Sequence, residues 1–281
     1  MIERRLRCLG PHGFYRMAFT EWPGRVPGRV TICVHGLTRN GRDFDRLAAA
    51  LAAAGGTVYC PDMPGRGQSD WLTHAEDYGY PTYLAALGAL LARLDAASVD
   101  WVGTSMGGII GMFLACLSET PIRRLVLNDI GAVIAKEGLT RLPTYVGADP
   151  RFPSLAALEA DLRRIAAPFG PLTDDDWRHL AEHSARRRDD GSLGYTYDPR
   201  IANAFRLDDI KDIDLWAQYD AITAPTLVLR GAGSDMLRHD DALAMTARGP
   251  RARLVELPGI GHAPALMADD QIALVRDFLA A

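Results

Sequence analysis

Nowhere in these 281 residues do about eighteen apolar residues run without interruption, so the sequence supplies no membrane-spanning helix. The start, Met1-Ile2-Glu3-Arg4-Arg5, is followed by no apolar core and small-residue cleavage site of a secretory leader. Cysteine is scarce. The four present, Cys8, Cys33, Cys60 and Cys116, form no C-x-x-C pair, and three of them sit inside apolar runs that read as strand or helix core. Cys33 and Cys60 could fall on neighbouring strands, but thiols in strand cores of a reducing compartment stay free, and reduced buried cysteines are expected. A large excess of one charge is also missing. With 31 basic and 35 acidic residues the formal charge is −4, and neither sign gathers into a tail, so no nucleic-acid footprint is visible. The expectation is a soluble, cytoplasmic protein with no membrane and no nucleic-acid partner.

What is present is the material for a large core: 48% of the residues are hydrophobic and 23% charged. Apolar runs of strand length alternate with longer segments of helical period, the pattern of repeated βα units around a mostly parallel sheet. Two early strands are predicted around 5–9 and 14–19. Further strands follow at 30–34, 57–60, 99–102, 124–127, 226–229 and 252–257, with helices at 44–54, 83–94, 108–117 and 271–279. One stretch breaks the alternation. Residues 131–216 carry helical patterns at 155–167 and 174–187 but no convincing buried strand, and read as a helical insertion of the kind that covers a site. Thr173, three positions before Asp176, resembles a helix-capping pair.

The chemistry concentrates at Gly103-Thr104-Ser105-Met106-Gly107, a G-x-S-x-G run between a predicted strand and a predicted helix. A tight strand-to-helix turn would hold Ser105 in a strained conformation, which demands very small residues two before and two after it. The hydroxyl would then project above the sheet, and the helix N-terminus would present backbone N–H groups, Met106 N–H among them, to an oxyanion. His35-Gly36-Leu37-Thr38 follows an earlier strand, from where the Leu37 N–H could reach the same point. Partners are required later, acid before histidine. Gly231-Ala-Gly-Ser-Asp235 and Gly259-Ile-Gly-His262 each follow a predicted strand, whereas His12 and His74 lie in turns and His239 begins a surface helix. His262 is the well-placed base.

His35-Gly36, Pro64-Gly65-Arg66-Gly67-Gln68-Ser69, Gly103–Gly108, Gly231–Asp235 and Gly261-His262 together resemble the α/β-hydrolase family, in its order and over nearly the whole chain. The resemblance implies a mostly parallel central sheet flanked by helices, with core residues 1–130 and 217–281 and a helical cap over 131–216. It implies Ser105 as nucleophile, His262 as base and Asp235 as the acid that orients the imidazole. Asp129, at the end of the preceding strand, is the alternative acid, from a position some members use. Serine at the nucleophile position disfavours the epoxide hydrolases and haloalkane dehalogenases of the family, which carry aspartate there. His35, Gly36 and the cap aromatics Tyr145, Phe152, Phe169 and Trp177 are candidate substrate-binding residues, with cap packing as the competing role for the aromatics.

The expected reaction is hydrolysis of small or medium carboxylic esters or lactones through an acyl-enzyme, with Leu37 and Met106 N–H groups on the oxyanion and no cofactor. A hydrolase of C–C bonds in vinylogous diketones is the alternative enzyme, and a non-catalytic small-molecule receptor the alternative from another class. The assembly expected is a monomer or homodimer. Two further motifs are set aside. His179-Leu-Ala-Glu-His183 fits an H-x-x-E-H zinc pattern but has no evident third ligand, so no metal is expected. Arg186-Arg187-Arg188 with Asp189-Asp190 reads as a self-compensating solvated face.

Overall fold

The computed structural model describes residues 1–205 and 210–281. In chain order it runs β1 (Ile2–Gly10), β2 (Gly13–Trp22), β3 (Val30–Val34), α1 (Asp45–Ala53), β4 (Thr57–Pro61), α2 (Tyr80–Leu94), β5 (Val99–Thr104), α3 (Met106–Ala115) and β6 (Ile122–Asn128). The chain then passes through β7 (Val133–Ile134), α4 (Lys136–Arg141), α5 (Leu155–Ile165), α6 (Asp174–Ser184), β8 (Ala185–Arg187), β9 (Leu193–Tyr195) and β10 (Ile213–Asp214). It returns to the sheet with α7 (Trp216–Asp220), β11 (Thr226–Gly231), α8 (His239–Met245), β12 (Arg253–Leu257) and α9 (Asp269–Ala280). Eight strands form one sheet in the order β1-β2-β4-β3-β5-β6-β11-β12. The β1–β2 and β2–β4 pairs are antiparallel and the rest parallel, as the alternation of strands and helices requires.

The side-chain period of two explains the layers. On one face Ile32, Val34, Trp101, Leu125, Leu127 and Val228 pack with Leu87 and Leu90 of α2 and Ile110 of α3. On the other, Cys33, Val102, Val126, Leu227 and Leu229 meet Leu47 and Leu51 of α1 and Val275 and Leu279 of α9. Burying each such side chain contributes about 1.5–3 kcal/mol. Cys33 and Cys60 share the second face and are free thiols, as expected from the sequence. In α2, Gly88 faces solvent and a Cβ built on it meets nothing within 4 Å. Gly88→Ala should therefore raise stability by roughly 0.5–1 kcal/mol, a gain that denaturant melts would register as a higher midpoint.

The segment between β6 and β11 departs from the expectation of helices alone. It contains two short ladders, β7 with β10 and β8 with β9, whose strands of two or three residues are too short to show a hydrophobic period. Thr173 and Asp176 form the capping box the sequence suggests: Thr173 Oγ1 accepts from Asp176 N–H, and Asp176 accepts from Thr173 N–H at 2.9 Å. Helix α6 is tied to the core by Asn40 Nδ2 donating to His183 O at 3.0 Å and Arg39 to Ser184 Oγ at 3.0 Å. The direct ion pairs of Arg188 and Asp190 run to residues outside the 186–190 run. Arg188 pairs with Asp149, Arg151 with Asp190, and Arg186 lies over the Trp71 ring at 4.6 Å, because the β8–β9 turn carries them against neighbouring segments.

Candidate active site

Ser105 sits between β5 and α3 at φ 51° and ψ −117°, a conformation disfavoured for any residue with a side chain. The two glycines flanking the turn make it possible. A Cβ on Gly107 would overlap the Val34 carbonyl, and one on Gly103 would overlap the backbone of Gly107. Ser105 N–H donates to Asn128 O at 3.0 Å, so the end of β6 fixes the turn from the side. Asn128 adds a second tie: its Nδ2 donates to Thr104 Oγ1 at 2.9 Å and to Pro264 O at 2.8 Å, joining the serine turn to the loop that carries His262.

Ser105 Oγ lies 2.9 Å from His262 Nε2, and His262 Nδ1 lies 2.8 Å from Asp129 Oδ2. This orientation has the hydroxyl donating to Nε2 and Nδ1–H donating to the carboxylate. Asp129 is fully buried, just past β6, and also accepts from Gly231 N–H at 2.7 Å and Ser234 Oγ–H at 2.6 Å. Asp235, the acid favoured from chain order, is elsewhere. It binds Arg141 Nε and Nη2 at 2.5 and 3.1 Å, with both side chains about one-third exposed. Its partial burial favours the neutral form, but the Arg141 guanidinium more than offsets this and holds the carboxyl below its usual range. The Gly231–Asp235 loop thus supports Asp129 through Gly231 and Ser234 and does not supply the carboxylate to His262.

The loop after β3 lies beside the serine, where a Cβ on Gly36 would touch Ser105 Cβ at 3.7 Å. Met106 opens α3, and a first helical N–H has no acceptor within its helix. Two cavities meet at this point and share Leu37, Ser105 and Leu142. One, about 200 Å³, is lined in part by Gly36, Arg39, Tyr145, Phe169, Tyr195 and Tyr197. The other, about 250 Å³, is mostly apolar, with Tyr80, Ile109, Ile130, Ile134, Leu139 and Met236.

The model of the alpha/beta hydrolase family matches residues 31–275. The chain belongs to that family. The 3-hydroxybutyrate-oligomer hydrolase of Cupriavidus necator is 42% identical over 97% of this chain and 96% of its own length. A solved alpha/beta hydrolase from Novosphingobium aromaticivorans is 35% identical, with TM-score 0.88 over 99% of this chain and 98% of the other. A solved Rickettsia typhi protein is 29% identical, with TM-score 0.92 over 100% and 99%. As a family member with a named ester hydrolase matching it end to end, the chain is a hydrolase of the carboxylic-ester class. No helix among the described residues is long and apolar enough to cross a membrane.

Among the candidate binding residues of this family member, Gly36, Tyr145 and Phe169 line the cavity over Ser105, and three do not. Trp177 is buried on α6 beneath the Arg163 guanidinium, 5.5 Å from its ring, and Phe152 packs edge-on against Tyr195 at 5.4 Å. Both serve packing inside the insertion, while Tyr195 and Tyr197 take the wall position. His35 is also structural. Its Nδ1–H donates to Gly36 O at 2.7 Å and its Nε2 accepts Met63 N–H at 2.9 Å, so the ring braces the loop and has no donor left for substrate. His179 and His183 come within 4.8 Å of Asp45, the third ligand the sequence did not reveal. Asp45 is already gripped by Arg42 at 2.6–3.0 Å, and His179 Nε2–H donates to Arg42 O at 3.0 Å, so Arg42 engages both Asp45 and His179.

Burial pushes the His35 imidazole down to about 3, so the folded protein keeps it neutral where the unfolded chain, at 6.5, takes a proton. Its contribution to stability is therefore full above 6.5 and is lost as pH falls toward about 3, by up to about 1.4 kcal/mol per pH unit. Asp62, pushed up to about 6 by burial, acts with the opposite sign below that pH because the folded state binds its proton first. Comparing wild type with His35→Gln cancels the Asp62 contribution. The advantage of wild type should shrink by at least about 1 kcal/mol between pH 7 and pH 5 in urea melts; a constant difference would show that His35 titrates normally.

Proposed function

We propose that this protein hydrolyses short esters of hydroxyalkanoic acids, 3-hydroxybutyrate oligomers foremost, through an acyl-enzyme on Ser105. The observation that carries this reading is the row Ser105 Oγ–His262 Nε2–Asp129, at 2.9 and 2.8 Å, opening where two cavities meet. Ser105 Oγ attacks the ester carbonyl as His262 Nε2 takes its proton, and Asp129 holds the imidazole and stabilises its cation. The Leu37 and Met106 N–H groups receive the oxyanion. Collapse of the tetrahedral intermediate breaks the bond to the alkoxy oxygen, which leaves with the proton from His262. Water then repeats the attack on the acyl-enzyme and restores the Ser105 hydroxyl.

A linear ester has a substituent on each side of its scissile carbonyl, and the paired cavities suit that shape. The apolar one fits a short methyl-bearing acyl unit, and the one lined by Arg39, Tyr195 and Tyr197 fits the oxygen-rich remainder of an oligomer. Residues 131–216 act in this reading as a cap, since Leu139, Leu142, Tyr145, Phe169 and Tyr195 all come from that segment. The full-length likeness to the Cupriavidus necator hydrolase supports the choice of substrate.

The test is release of free hydroxyacid from purified dimer and trimer of 3-hydroxybutyrate, followed by chromatography with wild type and Ser105→Ala. Hydroxyacid release that disappears in Ser105→Ala is expected. Cleavage of a vinylogous diketone with no ester turnover would replace the ester reading by C–C hydrolysis, and tight ligand binding without turnover would replace it by a receptor role.

A further inference from the structure

Arg66 is a large side chain with no exposed surface. Among the described residues no carboxylate comes within ion-pair distance of it; the arginine ion pairs all involve other side chains. Burying an uncompensated guanidinium is costly unless every N–H finds an acceptor and its charge has a use. Its contacts run to the two residues that frame the oxyanion position. Nε–H donates to Leu37 O at 2.8 Å, and Nη2 lies 3.6 Å from Met106 Sδ. Nη1 donates to Pro64 O and to Tyr83 Oη, both at 2.7 Å, and the guanidinium carbon lies 5.0 Å from the Tyr83 ring centre and 5.8 Å from that of Tyr78.

We propose that Arg66 is a positioning residue for the oxyanion hole, holding Leu37 and Met106 in register through one buried fork and leaving its positive charge uncompensated beside the place where the oxyanion forms. This rests on the acyl-enzyme reading above. The planar fork fixes the Leu37 carbonyl on one side and anchors the Met106 side chain on the other, so the donor from the β3 loop and the donor from α3 converge. Acceptors and aromatic faces satisfy the guanidinium geometrically without neutralising it. A negative charge appearing on the substrate therefore strengthens an existing field, and little rearrangement is needed as the reaction proceeds.

Arg66→Met keeps the length and apolar bulk while removing fork and charge; Arg66→Lys keeps the charge without the fork. Both are compared with wild type in ester turnover, in the rate at which a fluorophosphonate probe labels Ser105, in affinity for a trifluoromethyl ketone that forms a tetrahedral adduct, and in thermal unfolding. The expected result for Arg66→Met is kcat down by about 10²-fold, KM changed by less than about threefold, and labelling and ketone affinity falling in parallel with kcat. Arg66→Lys should recover part of each loss. A lower melting temperature with kcat and ketone affinity unchanged would overturn the proposal, as would a loss confined to KM. If Arg66→Met fails to fold, Arg66→Lys decides: full wild-type kcat and ketone affinity in that variant would overturn it. Labelling without ester turnover in wild type would reject the ester substrate while still testing Arg66 through labelling rates. Neither labelling nor turnover would reject both readings.

Discussion

Asp129→Asn is expected to lower kcat for ester hydrolysis by about 10⁴-fold, while Asp235→Asn lowers it by no more than about fivefold. The first substitution removes the charge that holds the Nδ1–H tautomer of His262. An amide there can turn its NH₂ toward Nδ1, which must then accept, so the ring proton moves to Nε2 and that nitrogen can no longer take the Ser105 proton. It also weakens the bonds from Gly231 N–H and Ser234 Oγ–H. The second substitution breaks only a partly exposed ion pair with Arg141, of a kind worth about 0–1 kcal/mol. Steady-state kinetics on the two purified variants, with unfolding monitored in parallel, checks the contrast. Comparable losses from both would place the carboxylate that serves His262 wrongly.

Gly107→Ala is expected to cost roughly 4 kcal/mol or more of stability, or to leave no soluble protein, although it adds a single methyl group. That methyl would overlap the carbonyl of Val34 in the neighbouring strand, and neither the strand nor the first turn of α3 can move without opening the core beneath. A Cβ on Gly233, by contrast, meets its nearest atom at 3.4 Å, and Gly233→Ala should stay folded and active. Circular dichroism and expression yield separate the two. A stable Gly107→Ala would mean that the serine turn leaves room for a side chain beside the Val34 carbonyl.

The difference between these two positions also shows what a sequence can reveal. Gly103, Ser105 and Gly107 are legible because steric demands at a strand-to-helix turn act over five consecutive residues. The parallel strands are legible for a similar reason, since residues such as Ile32, Cys33 and Val34 are buried on both faces and leave an unbroken apolar run. The choice between Asp129 and Asp235 is different in kind. Both follow strands, both sit near glycines, and only the packing of β6 against β11 places Asp129 Oδ1 on Gly231 N–H and Oδ2 on His262. Chain order favours Asp235, whereas the hydrogen bonds from that loop to Asp129 come from Ser234 and the Gly231 backbone N–H.

Long-range packing hides the remaining roles as well. His35 stands next to the oxyanion glycine in sequence, yet both its nitrogens are spent on Gly36 and Met63. Phe152 and Trp177 carry the aromatic signature of a pocket wall but turn into the insertion, and Tyr195 and Tyr197, unmarked in the sequence, face the cavity. The Asn128-Asp129 pair at the end of an apolar strand was the one signal that could have found the bridging amide, since two polar residues at such a position must each find partners.

The covalent acyl-enzyme on Ser105 is the step that rapid-quench mass spectrometry observes directly. Wild type mixed with a 3-hydroxybutyrate trimer and quenched in acid should carry a hydroxyacyl group on the peptide containing Ser105, with the adduct forming at least as fast as turnover and absent from Ser105→Ala. Hydroxyacid release that proceeds with no adduct, or with the adduct on another residue, would show that Ser105 is not the nucleophile.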